Sequence, residues 1–175
     1  PYVLSVGSPA IASRIGSQMD DDAPSVHVIC GGGTGSPLFV RLLDIGCEVT
    51  AGVVNIGDTD QETAEALGID YVEEAPYSAI SEAANSANLR YIDRADAVII
   101  AEVPFGTGNL ANLRAALYAI DHKKPVAIVG NSDRLGERDF TGGEATMLFI
   151  ELINKGAKVI GLEEVDRWVE NIRVA

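Results

Sequence analysis

The 175-residue sequence has two cysteines, two histidines, one tryptophan and only 13 basic residues, against 26 acidic ones. Cys30 and Cys47 sit within or beside apolar runs. They cannot form a disulfide scaffold and read as small hydrophobes in a reducing compartment. His27 and His122 are far apart, no Cys/His cluster is present, and neither G-x-S-x-G nor H-E-x-x-H occurs, so the common hydrolase and zinc signatures are missing. The shortage of Lys and Arg leaves a net charge of −13 and a pI near 4.4, a field that repels a phosphate backbone or an anionic bilayer. Nucleic acid is therefore not expected as a partner. Apolar runs stay far below the ~20 residues that span a bilayer, and Pro1-Tyr2-Val3-Leu4 lacks the basic start of an export signal, so a cytoplasmic location is expected. What the chain does have is 47% hydrophobic residues. At this length a folded chain can bury roughly 70% of the surface its unfolded form exposes, enough for a full core without staples.

Residues 1–24 mix Gly, Ser and Ala with the acidic run Asp20-Asp21-Asp22 and keep no period, so they read as a connecting arm, leaving 25–175 as the ligand-binding domain. From Ser25 onward six β-branched runs alternate with helical patterns: Val26–Cys30, Val49–Val54, Ile69–Val72, Ala97–Ala101, Val126–Val129 and Lys158–Ile160. Helical faces are expected at Ile80, Ala84, Ala87 and Tyr91, at Leu110, Leu113, Leu117 and Ile120, and at Leu162, Val165, Val169 and Ile172. Strands separated by single helices pair in parallel through right-handed crossovers. The expected fold is a doubly wound, mainly parallel, Rossmann-like α/β domain of about six strands with helices on both faces.

The strongest chemical signal is Gly31-Gly32-Gly33-Thr34-Gly35-Ser36-Pro37, which follows the first strand and opens a helix. Backbone N–H groups of such a turn can approach an anion at a positive helix end, although a tight turn with nothing bound is the plain alternative. Leu38 stands where G-x-G-x-x-G needs its last glycine, and no Gly-Lys-Ser/Thr follows, so neither the ordinary dinucleotide fingerprint nor a Walker loop is present. A second loop, Gly106-Thr107-Gly108-Asn109, follows the fourth strand. In the strand order 3-2-1-4-5-6 these two loops flank the crevice where open sheets bind ligands. Asn131 follows the fifth strand, and Thr141-Gly142-Gly143-Glu144 opens the next helix, where Thr141 and Glu144 also have capping-box spacing.

After the second strand, Asn55 and Asp58 are placed to accept a ribose hydroxyl. Alternatively Asp58 or, more readily, Asp60 caps the helix that follows. A Mg²⁺ site from Asp58, Asp60 and Glu62 would need a ligand phosphate to complete it. Cys30 beside a helix N-terminus suggests a lowered thiol pKa, but its strand position favours burial. His122, beside Lys123 and Lys124 at a helix end, fits a role against the helix dipole rather than proton transfer.

Pro1-Tyr2-Val3-Leu4 resembles the close of the ATPase region of iron-chelate and cobalamin import ABC transporters. Val54–Asp60, Val103–Leu110 and Arg138–Thr146 resemble the C-terminal extension that some prokaryotic, especially archaeal, members carry. This resemblance implies an accessory, regulatory, nucleotide- or phosphate-binding domain without the ATP-hydrolysing motifs. Its partners would be the ABC ATPase domain, the transporter's membrane subunits and a small phosphorylated ligand, with a homodimer as a further option, and its place the inner face of the membrane. A nucleotide, with or without Mg²⁺, is the cofactor class implied, and no catalytic residue or resident metal is assigned. A more distant resemblance is to the lysine-decarboxylase-like phosphoribohydrolases of the LOG type, whose P-G-G-x-G-T-x-x-E motif falls on Pro104–Asn112. Their catalytic carboxylate position is Asn112 here, which cannot act as a base. Two other functions stay open: a small-molecule transferase or hydrolase using Asp58 or Glu144 as base, and a structural dimerisation module whose glycine loops are only turns.

Overall fold

The computed structural model describes residues 23–54, 57–73, 82–101, 110–130 and 143–174. Strands β1 (Ser25–Ile29), β2 (Glu48–Val54), β3 (Asp70–Glu73), β4 (Ala97–Ala101), β5 (Val126–Val129) and β6 (Lys158–Ile160) form one sheet in the order β3-β2-β1-β4-β5-β6. All pairs are parallel. Helices α1 (Ser36–Asp44), α2 (Thr59–Leu67), α3 (Glu82–Arg94), α4 (Leu110–Asp121) and α5 (Glu144–Asn154) fill the crossovers, and α6 (Val165–Val174) ends the fold after a 3₁₀ turn at Leu162–Glu164. This is the expected doubly wound, Rossmann-like fold. Strand boundaries agree with the sequence reading to within a residue.

The sheet divides the core in two. Val26, Val28 and Cys30 face Leu38, Phe39 and Leu42 of α1, Ala64 of α2, and Val165 and Val169 of α6. Ile29, Val98 and Ile100 face the other way, against Ile92 of α3, Leu113 and Ala116 of α4 and Leu152 of α5. Strands covered on both faces are solid apolar runs, and β4 and β5 are buried throughout. At the N-terminal edge, Ser25 N–H donates to Asp96 Oδ2 at 2.9 Å and Asp96 N–H donates to Ser25 Oγ at 3.1 Å, tying the starts of β1 and β4 together.

On α3, Ile80 and the side chain of Ala84 lie outside the described residues, and among those described the fully covered positions are Asn88 and Ile92, with Ala87 and Tyr91 half-buried. A polar residue takes the centre of the face because it has a buried partner: His27 on the central strand, 0% exposed. The His27 ring lies 2.5 Å from Asn88 Oδ1 through Nε2 and 2.8 Å from Thr50 Oγ1 through Nδ1, and it stacks on Tyr91 with centroids 5.6 Å apart. The amide oxygen only accepts, so Nε2 carries the proton and the Thr50 hydroxyl donates to Nδ1. Gly52 makes room for this group, because a Cβ there would collide with Asn88 Oδ1 and come within 2.6 Å of His27 Nε2.

Burial lowers the His27 pKa from 6.5 to about 4, opposed by the Asn88 hydrogen bond. The unfolded chain therefore takes up this proton first, so the contribution of His27 is complete above pH 6.5 and is lost as pH falls towards 4. Urea unfolding should show stability dropping over this interval by up to about 1.4 kcal/mol per pH unit from this residue, and His27→Asn should remove that part of the slope. Gly52→Ala should cost about 2–3 kcal/mol at neutral pH, since rigid neighbours must move. A variant with an unchanged denaturation midpoint would contradict the close approach of α3 to β2.

Candidate functional site

The β1–α1 turn and the β2–α2 turn meet at the C-terminal edge of the sheet. Gly32 and Gly33 have φ of 65° and 86°, a region that side chains other than Asn or Asp rarely enter. Gly35 is needed for a different reason: a Cβ there would lie 2.5 Å from Cys30 Sγ and 3.0 Å from Phe39. Pro37 sits in the first turn of α1, where a missing N–H costs nothing.

The N–H groups of this turn have internal acceptors. Gly32 N–H donates to Asp58 Oδ2 at 2.8 Å and Gly33 N–H to Asp60 Oδ2 at 3.2 Å. Gly35 N–H and Ser36 N–H both donate to Asp60 Oδ1, at 3.0 and 2.8 Å, and the Ser36 hydroxyl adds a third donor at 2.8 Å. Gly31 N–H reaches Thr34 Oγ1 at 3.4 Å and Thr34 N–H reaches Gly31 C=O at 3.3 Å. A carboxylate of the chain thus sits where a phosphate would sit at the positive end of α1. Asp60 is fully buried, and charge-assisted hydrogen bonds to N–H groups offset its loss of water.

This arrangement corrects one expectation, that Asp60 is the readier cap of the helix after β2. The residue capping α2 is Asp58, whose side chain accepts from Asp60 N–H at 2.5 Å, while Asp60 binds the neighbouring helix α1 instead. The reason is register: the Asp58 carboxylate can reach back over the first turn of α2, and that turn carries Asp60 inward. Helix α5 begins at Glu144, with Gly143 before it at φ 98°, and the Thr141 of the expected capping box lies outside the described residues. Asp58, Asp60 and Glu62 do not make a metal-ligating cluster among the described residues. The Asp60 oxygens face N–H donors, the wrong polarity for a cation.

Cys30 lies beneath the same turn. Burial pushes its thiol pKa well up, and the adjacent carboxylates, Asp60 above all, add to the effect. It is not an activated nucleophile. Cys47 is buried too, and its pKa rises to about 11 for the same principal reason. His122 stacks on Tyr118 and its Nδ1 lies 2.7 Å from the Tyr118 carbonyl in the last turn of α4, as expected of a helix-end residue.

Of the candidate ligand residues, Gly31, Gly32, Gly33, Thr34, Gly35, Ser36 and Asp58 are brought together in one hydrogen-bonded unit. Gly143 and Glu144 lie at the start of α5, where Glu144 forms an ion pair with Arg114 of α4. Asn55, Gly106, Thr107, Gly108, Asn109, Asn131, Thr141 and Gly142 lie outside the described residues. Sequence reasoning missed Gln61, whose side chain accepts from Gly57 N–H at 2.5 Å and donates to Tyr71 Oη at 3.2 Å, bracing the turn that carries Asp58. Its only signal was the spacing of four from Gly57.

The sequence profile of the MJ0874 family matches residues 49–165, two-thirds of the chain. The chain belongs to the MJ0874 family. The matched region includes the β2–α2 turn with Asp58 and Asp60 and all candidate segments C-terminal to it, while Gly31–Ser36 precedes it. Among curated proteins the chain is similar to the cobalamin import ATP-binding protein BtuD of two Halobacterium salinarum strains, at 38% identity over 77 residues in each case. That stretch is 43% of this chain, and it spans about a fifth (19%) of those relatives' length. No solved structure matches.

Removing the central carboxylate should show its weight. Asp60→Ala leaves the buried Gly35 N–H and the part-buried Gly33 and Ser36 N–H groups without their acceptor and should lower stability by about 2–4 kcal/mol, whereas Asp58→Ala, a lost cap, should cost about 1 kcal/mol. Equal losses in a denaturant titration would refute the ranking.

Proposed function

We propose that this chain is a regulatory ligand-binding domain of an ABC import ATP-binding protein, at the cytoplasmic face of a transporter, and that it takes a small phosphorylated ligand, nucleotides first. The 77-residue similarity to a cobalamin import ATP-binding protein carries the transport context. The ligand position rests on the reversal of strand order between β1 and β4, whose outward crevice is where doubly wound sheets bind small molecules. No Gly-Lys-Ser/Thr loop is present, so ATP hydrolysis belongs to the ATPase with which the domain works. In this reading the first glycine loop, filled by Asp58 and Asp60, is the scaffold. Asp58, half-buried at its rim, accepts a ligand hydroxyl with Asn55. The phosphate falls to Gly106, Thr107, Gly108 and Asn109, with Asn131 and residues 141–144 closing the crevice.

One observation favours a second reading. Each N–H from Gly31 to Ser36 already has an acceptor, as in a purely structural turn of an assembly module.

A thermal-shift screen against nucleoside mono-, di- and triphosphates and corrinoids, with and without Mg²⁺, separates the two. A ligand at 100 times its dissociation constant should add about 2.7 kcal/mol to stability. Asp58→Asn is the informative variant, because asparagine caps a helix as well as aspartate does but removes the carboxylate that accepts the ligand hydroxyl. It should keep the stability of the parent and lose the ligand shift. Silence across the panel would sink the sensor reading in favour of the structural one.

A further inference from the structure

Residues 1–22 of the expected arm lie outside the described residues, which begin at Ala23. Pro24, next in the chain, lines an open groove of about 1200 Å³ along the N-terminal edge of the sheet, the edge opposite the crevice. One wall is made by the strand starts, with Pro24 before β1, Asp96 before β4, Pro125 before β5 and Lys158 at the head of β6. The other is α6, which contributes Arg167, Trp168 and Arg173. Lys158 pairs in register with Ala127, which belongs to the core on the α6 side, so its side chain points to the α6 face. Each of the three carboxylates along the groove already has a partner: Asp96 accepts from Ser25 N–H, Glu164 accepts from Gly161 N–H at 2.9 Å, and Glu170 lies 3.9 Å from Arg173. Lys158 and Arg167 are exposed and have no carboxylate partner among the described residues.

We infer that the acidic run Asp20-Asp21-Asp22 lies in this groove with its carboxylates on Lys158 and Arg167, so that the arm is bound along the starts of β4, β5 and β6. The tether is the first argument. Consecutive Cα atoms are about 3.8 Å apart, so Asp22 lies within about 8 Å of Pro24 and Asp20 within about 15 Å, whatever path the chain takes. From β1 to β6 the groove crosses three strand spacings, about 14 Å, and four extended residues such as 20–23 cover about the same distance. Charge selects the same segment. The sequence has no Lys or Arg between Arg14 and Arg41, so the counter-charge of three adjacent carboxylates comes from elsewhere in the fold. Exposed ion pairs are weak one by one, but a tethered segment has an effective concentration on the order of millimolar at its site, so a few suffice to hold it. A second copy or a separate partner would first have to displace a segment that the chain itself keeps within reach. The inference is independent of the ligand reading, and it sends the arm out beside β6 and α6, away from the crevice.

Trp168, half-buried and the single tryptophan of the chain, is the probe. In the whole chain, Asp20→Asn, Asp21→Asn and Asp22→Asn together should shift its emission to the red and raise its quenching by acrylamide about two-fold with an unchanged circular dichroism spectrum, because the indole gains water. Lys158→Asp with Arg167→Asp should have the same effect, and adding Asp20→Lys, Asp21→Lys and Asp22→Lys to that pair should restore the parental emission. Because Cys30 and Cys47 are buried, Asp21→Cys with Arg167→Cys supplies one accessible thiol pair, which mild oxidation should close within a single chain, while Asp21→Cys with Met147→Cys on α5 should stay open. No disulfide within the chain, or cross-linking between two chains in its place, overturns the proposal, as does an emission indifferent to the triple Asn variant.

Discussion

The Asp60 carboxylate, buried against the N-terminus of α1, is the interaction on which the functional end of the sheet depends. It joins three pieces of chain that no other polar contact unites so closely: the glycine turn after β1, the first turn of α1 and the first turn of α2. Its charge suits the positive end of α1, and without it the Gly35 N–H would be buried without an acceptor. The packing below is adapted to the same arrangement. Gly35 lacks a Cβ because Cys30 lies directly beneath it, and Cys30, held at a raised pKa by burial and by Asp60, stays a neutral filler.

An anion cradle filled from within has a consequence for ligand recognition. A dianionic phosphate would have to displace a carboxylate that already satisfies those donors, in a chain of net charge −13, so the first loop offers it little. What the loop does offer is a fixed position for Asp58, half-buried, with both oxygens oriented by Gly32 and Asp60 N–H groups and lone pairs left for a hydroxyl. Under the proposed function, a preset carboxylate would take the ligand hydroxyl and a separate glycine loop its phosphate, a division of labour that one crevice between β1 and β4 would house.

How much of this was legible in the sequence differs between fold and site. The strands were legible because parallel strands covered on both faces must be apolar throughout, and β4 and β5 are. The glycine turn was legible as a helix start, but its occupant was not: Asp60 lies 25 positions from Gly35, and a local reading gives a carboxylate after a strand only its own helix to cap. The same limitation made Asp60 the readier cap of α2, where Asp58 caps it and Asp60 turns to α1. His27 and Asn88 fail for another reason. Hydrophobic periodicity marks apolar faces, and here the centre of the face is a polar pair, 61 residues apart in sequence, that becomes acceptable only once Gly52 lets α3 come close.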